Sequence, residues 1–410
     1  MSGPLSHRLM GAALGVLAAL FTPAAPAAPR TPGDDAELLQ QLPTRLGDAP
    51  PQRARLQAPR ADPTRLPLAL ALAREALERA RTRGDPSELG PAQAALAPWW
   101  GLAAPPPPVR LLRATLRQNQ HDFSAALADL DALADAPAGA TPPVPLAVRA
   151  QAEWTRATLH QVLGNWAQAR TGCERLAAGV DQALGPATAW TGQVCLAELD
   201  SLQGRDPQAA QRTLASIARR AAGSGLDTAW LALVRAELAA RLGSAEAGPL
   251  FREATAGSPG VYALAAHADW LLDQRREREV LRLLADRAEA DALLLRLALA
   301  QQRLGDPAAA ASIAQLQARF DAARLRQDNS HARELSRFEL ELRGRASVAL
   351  ELALGQWQLQ KEPADALAVL RAAQAAGRPE AAAPVRAWAR TQGFVDRRWP
   401  SERPRPGVGS

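Results

Sequence analysis

Gln120–Leu133 reads QHDFSAALADLDAL, and Leu163–Leu176 reads LGNWAQARTGCERL. Each is a turn followed by a small residue and then by apolar residues at helical spacing. The arrangement returns in Leu202–Ala218, LQGRDPQAAQRTLASIA, and in Leu304–Ile313, LGDPAAAASI. A unit recurring at roughly 34–47 residues marks a helical repeat array, because each unit buries its apolar face only against its neighbours.

The rest of the chain agrees. Of 410 residues 47% are hydrophobic and only 4% aromatic, and alanine and leucine dominate, which favours closely packed helices over sheets. The formal net charge of +6 comes almost wholly from arginine; Lys361 is the only lysine. Arginine alternates with acids in REALERARTR (Arg74–Arg83) and DQRREREV (Asp273–Val280), the pattern of solvated helix faces with paired charges. It lacks the one-sided basic cluster with interleaved aromatics that nucleic-acid binding requires, so no nucleic-acid partner is expected.

The turns carry their own mechanism. In Gly84-Asp85-Pro86, Gly204-Arg205-Asp206-Pro207 and Gly305-Asp306-Pro307, glycine ends one helix left-handed. Aspartate then caps the next, and proline fits a first turn that needs no amide donor. Such short turns make successive helices antiparallel.

Residues 1–27 read as a cleaved secretory signal. Arg8 is the positive start, Met10–Phe21 an apolar run too short for a membrane span, and Ala25 and Ala27 an A-x-A cleavage pattern. An uncleaved anchor is the alternative. No cysteine follows for a lipid anchor, so a periplasmic or secreted chain without membrane insertion is expected. Residues 28–63 form a Pro/Ala-rich segment, 64–393 the helical array and 394–410 a disordered tail. Within the array, Pro98–Pro108 (PWWGLAAPPPP) is expected to break the helical pattern.

These turns, with Ala126 and Ala169 early in second helices, resemble the tetratricopeptide repeat family. His121-Asp122-Phe123 and Gly164-Asn165-Trp166 match its turn, and Ala114, Ala157, Ala197 and Ala236 stand where its first helix carries a small residue. LGPAQAALAPWW and RFDAARLRQDNSHARELSRFELEL resemble an uncharacterised subgroup of exported bacterial members. The resemblance implies an all-α, right-handed superhelical solenoid of antiparallel helix hairpins, whose first helices line a long concave groove. It implies that the helices carrying Cys173 and Cys195 touch, so the two are expected to form a disulfide; two buried thiols are the alternative. It also places Trp154 and Trp230 on the concave face, shared with Gln118, Asn119, Gln151, Thr158, Gln161, Glu198, Glu237 and Arg241. The other tryptophans read as packing residues dispersed along the array, with Trp166 filling a turn.

No nucleophile motif, phosphate-binding glycine loop or metal-ligand spacing is present. His331 with Glu334 reads as a surface contact. The expectation is therefore a non-catalytic scaffold without cofactor, binding another protein or peptide in the cell envelope. The alternative is a glycan- or small-ligand-binding accessory of an envelope enzyme or transporter.

Overall fold

The gly–asp–pro turns behave as their chemistry dictates. Gly84, Gly204 and Gly305 have φ of +64°, +59° and +67°. Asp85 accepts from the Ser87 amide (2.9 Å), Asp206 from Ala209 (2.7 Å) and Asp306 from Ala308 (2.9 Å). A computed structural model describes residues 62–137, 139–179, 186–326 and 332–400. The expected signal 1–27, nearly all of the 28–63 segment, His331 and residues 401–410 lie outside the described residues.

Among the described residues there are helices and no strands. They pair as hairpins: α1 (Leu66–Arg83) with α2 (Leu89–Trp100), α3 (Pro107–Asn119) with α4 (Phe123–Ala134), and α5 (Leu146–Val162) with α6 (Trp166–Ala177). Then come α7 (Pro186–Leu202) with α8 (Pro207–Arg220), and α9 (Thr228–Leu242) with α10 (Ala247–Ala254). α11 (Val261–Asp273) with α12 (Glu277–Leu284) and α13 (Asp291–Leu304) with α14 (Ala309–Leu325) follow. α15 (Ala332–Arg337), extended by a π-helical turn at Phe338–Leu342, packs on α16 (Ala346–Leu359). α17 (Pro363–Ala375) and α18 (Ala383–Gln392) end the stack. The chain is thus an all-α solenoid of hairpins. None of its described helices is long and apolar enough to cross a membrane.

Packing follows from small residues where helices cross. Ala114, Ala157, Ala197 and Ala236 are all buried, and each lets a neighbouring backbone approach. Apolar residues gather in a series of local clusters along the array, as expected where each hairpin is stabilised by its neighbours. Cys173 on α6 and Cys195 on α7 form a disulfide with Cα atoms 5.7 Å apart. Cross-linking a loop of this length contributes about 3 kcal/mol by restricting the unfolded chain.

The structure corrects the sequence reading at three points. The break expected over Pro98–Pro108 occurs but is confined to 101–106: α3 starts at Pro107, and Pro98 lies inside α2, which continues to Trp100. So close to the C-terminus it forfeits little of the helical ladder, and Trp99 beside it is buried in the first cluster. Residues 394–400 are not a disordered tail. Phe394 is 6% exposed and packs against Trp388 and Trp399, with ring centroids 5.7 and 5.3 Å away; apolar rings repay the ordering of this short stretch.

The third correction is the largest. The expected open groove is walled off, because the array curls until it meets itself. The Lys361 amide donates to the Val162 carbonyl at the end of α5 (2.8 Å), and the Arg397 amide to the Arg241 carbonyl at the end of α9 (3.1 Å). Arg371 on α17 pairs with Asp273 on α11 at 3.1 Å. The α7–α8 turn meets the end of α18 glycine to glycine. A Cβ on Gly204 would stand 1.7 Å from the Gly393 carbonyl oxygen, and both glycines are left-handed. No other residue fits either position.

Candidate binding cavity

Closure leaves a partly open cavity of about 550 Å³ on the inner side of the solenoid, within the range of small-ligand sites. Helical periodicity aims its lining. On α5, Trp154, Thr158 and Gln161 recur at four and three residues, and on α9 so do Trp230, Val234, Glu237 and Arg241; all face the cavity. Glu198 comes from α7 between them. The opposite wall is built by α11, α13, α15 and α17, chiefly through Asp269, Arg296, Arg333, Arg337 and Glu341.

Trp154 and Trp230 meet edge to face, their ring centroids 4.9 Å apart, and neither is fully buried. Two helical turns further along sits a polar group. Gln161 Nε2 donates to Glu198 Oε1 (3.0 Å), Tyr262 Oη donates to Glu237 Oε1 (2.7 Å), and Arg241 Nη2 donates to Ser201 Oγ (2.7 Å). Among the described residues, neither Glu198 nor Glu237 has a cation within 4 Å. Burial, reinforced by the neighbouring Glu237, pushes the Glu198 carboxyl up to about 7. Glu237 is raised as well, again mainly by burial. Tyr262 is 55% exposed and lines both this cavity and the recess beside it. The charge on Glu237, with burial second, drives its hydroxyl well above the usual value. Burial also lowers Arg241.

The far wall is saturated instead. Arg296 grips Asp269 with two bonds (3.1 and 2.7 Å), and Arg337 adds a third to the same carboxylate (2.7 Å) while also holding Glu341 (3.0 Å). Arg333 forks onto Asp365 (2.6 and 2.9 Å) and reaches Glu362. Burial alone would raise the Asp269 carboxyl, but Arg296 and Arg337 outweigh it and hold it well below the usual range.

Of the residues expected on the concave face, Trp154, Trp230, Thr158, Gln161, Glu198, Glu237 and Arg241 are brought together in this cavity. Gln118 and Asn119 line an adjoining recess of about 300 Å³ that shares Val162, Tyr262 and Glu362 with it. Gln151 is outside the cavity: it is exposed and its amide points to Thr155 Oγ1 (3.4 Å), one turn nearer the start of α5 than Trp154 although on much the same face. Five of the ten tryptophans, distant in sequence, meet one another. Besides the Trp154–Trp230 pair, Trp388 packs edge-on against both Trp166 and Trp357 (5.2 and 5.0 Å). The far wall was missed altogether. Its signal was present, since Arg333, Arg337 and Glu341 recur every four residues, but that spacing reads equally well as a solvated face.

No protein-family profile and no curated protein matches the chain. Among solved structures it is similar to human IFIT1, as a dimer with m7Gppp-AAAA (14% identity, TM-score 0.33, covering 77% of this chain and 71% of that one). Two monomeric IFIT1 mutants, one with Gppp-AAAA and one with m7Gppp-AAAA, are each 12% identical, with TM-scores of 0.35 and 0.36, covering 77% of this chain and 72% of theirs. Likeness this loose transfers no site and no ligand; the repeat fold is read from the hairpins themselves.

Proposed function

We propose that this chain is a non-catalytic binding protein that holds a small ligand, or the end of a longer one, in its central cavity. The observation that carries this is the Trp154–Trp230 pair inside a walled cavity of about 550 Å³. Partly accessible aromatic rings beside a few directed polar groups make a recognition surface. The closure of the array favours a small ligand over a protein domain, which needs an open face. The far-wall arginines are already engaged by carboxylates, so they offer little to a phosphate backbone. An exported, envelope-associated role is supported by the pattern of residues 1–27 and by the Cys173–Cys195 disulfide.

The test is the double variant Trp154→Ala/Trp230→Ala, compared with wild type by native mass spectrometry for a co-purified ligand and by thermal shift against a metabolite and oligosaccharide library. Each ring is expected to carry about 2 kcal/mol of binding energy, so the double variant loses the ligand while remaining folded. Trp166→Ala is the control. Trp166 is only 3% exposed, and its loss lowers stability by about 3 kcal/mol through a core cavity. A folded double variant that still binds every wild-type ligand places the site elsewhere. Capture of a folded protein partner by both forms equally would move function to the outer surface.

A further inference from the structure

The two walls leave an imbalance of charge. Seven basic and seven acidic side chains line the cavity, and Asp365 and Asp396 stand directly behind Arg333 and Arg398 and bind them. Arg303 stands behind Glu341 in the same way, so acids exceed bases by one. Arg296, Arg333, Arg337, Arg371 and Arg398 each have a carboxylate partner, whereas Arg241 and Lys361 have none within 4 Å among the described residues, and Arg241 acts on Glu198 and Glu237 only at longer range. The acids left without a close cation are Glu198 and Glu237, on adjacent first helices and turned into the same space. Both are fixed by a neutral donor, Gln161 or Tyr262, which orients the carboxylate without neutralising it.

The aromatic pair stands at a set distance from them. Trp230 and Glu237 are seven residues apart on one face of α9, and Trp154 and Gln161 are seven apart on α5. At 1.5 Å per residue the rings and the carboxylates are separated by about 10 Å along the helices. One end of the cavity is thus aromatic and the other anionic. We propose that the cavity recognises an elongated organic cation, with its ammonium or guanidinium group between Glu198 and Glu237 and its apolar body against Trp154 and Trp230. This rests on the reading of the cavity as the ligand site, and it specifies the ligand's chemistry. A cation at this end relieves the repulsion between two half-buried carboxylates, and the ring faces add to the attraction. An anion would meet uncompensated negative charge, and a neutral ligand would leave the acids as they are.

Three probes with one body and different charge separate these cases: 4-phenylbutylammonium, 4-phenylbutanol and 4-phenylbutyrate, each titrated by calorimetry. The ammonium is expected to bind at least about tenfold tighter than the alcohol, and the carboxylate weakest of all. In Glu198→Gln/Glu237→Gln the preference disappears while the alcohol still binds. A second arm uses wild type alone. Glu198 faces Gln161 on α5, Glu237 and Arg241 on α9 and Glu362 ahead of α17. Its carboxyl must be ionised to meet a cation, so the ammonium binds more tightly as pH rises from 6 to 8 and releases a proton. If the alcohol or the carboxylate binds as well as the ammonium, the cation assignment is overturned and the cavity reading stands. If none binds, or if ammonium affinity is flat with pH, the cation assignment also falls, and the tryptophan double variant decides the cavity independently.

Discussion

The wall of the cavity made by α11, α13, α15 and α17 and the wall made by α5, α7 and α9 bury charge in opposite ways. On the first, Asp269 receives three hydrogen bonds from two arginines. On the second, Glu198 and Glu237 receive one bond each from uncharged donors. A buried carboxylate gripped by guanidinium groups is locked into the fold, and removing it strands its partners. A buried carboxylate held only by an amide or a phenol carries an unmet desolvation cost that a ligand can relieve. Burial acts on both walls alike. The presence or absence of a cation drives Asp269 down and lets Glu198 rise to about 7. On the proposed reading, one wall serves stability and the other occupancy.

The largest effect that separates them is Asp269→Asn. The amide keeps the shape but leaves Arg296 and Arg337 facing each other without their shared counter-charge. Unfolding free energy measured in urea is expected to drop by about 3 kcal/mol, the lower end for a broken buried ion pair, because the Asp269 side chain is 29% exposed. A loss below about 1 kcal/mol would show that the pairing on this wall is dispensable and that the two walls do not differ.

A smaller effect is carried by pH. The native Glu198 carboxyl lies at about 7, above the ordinary value near 4.5 of an unfolded chain. The native state therefore binds the extra proton between these values, and this group's contribution to stability falls as pH rises through 7. Going from pH 8 to 6 should regain about 1 kcal/mol through Glu198. His267 works against it: burial first, then Arg252 and Arg276, lower its imidazole to about 4. A buried neutral histidine loses stability below about 6.5, where the unfolded chain takes up a proton. The clean measurement is therefore the difference between wild type and Glu198→Gln, in which the histidine cancels. Wild type gains on that variant by about 1 kcal/mol from pH 8 to 6, and parallel pH profiles would deny Glu198 its unpaired state.

How far these walls could be read from sequence follows from the range of the forces that make them. The hairpins are local, and so they are legible: α9 runs Thr228–Leu242 because Asp227 caps it and Gly243 ends it. Trp154 and Trp230 were legible as a face because first helices of stacked hairpins share one side. Their contact was not, since 76 positions separate them and α7 lies between. The far wall was hidden twice. Arg337 and Asp269 are 68 residues apart, and a four-residue spacing of charges is the same for a solvated stripe and a buried one. Curvature was hidden too. Gly204 and Gly393 each look like an ordinary helix-ending glycine, and only the closed array shows that they press against one another.

The smallest effect carries the sharpest sign. Glu237→Gln makes the same carboxylate-to-carboxamide change as Asp269→Asn, in the same cavity, on the other wall. Glu237 has no cation within 4 Å among the described residues, and its single acceptor bond from Tyr262 is available to the amide oxygen as well. What disappears is a half-buried negative charge that repels Glu198 and is offset only at longer range, by Arg241 and Arg398. Arg241, one turn away on α9, loses some long-range attraction, which limits the gain. At pH 8 the variant is expected to be as stable as wild type or up to about 1 kcal/mol more stable, whereas Asp269→Asn is strongly destabilised. The tyrosine offers an independent reading. With Glu237 neutral, the phenol of Tyr262 loses its main cause of elevation, so its absorbance titration shifts to lower pH. Destabilisation of Glu237→Gln by several kcal/mol, or an unmoved tyrosine titration, would place Glu237 among the paired acids and erase the distinction between the walls.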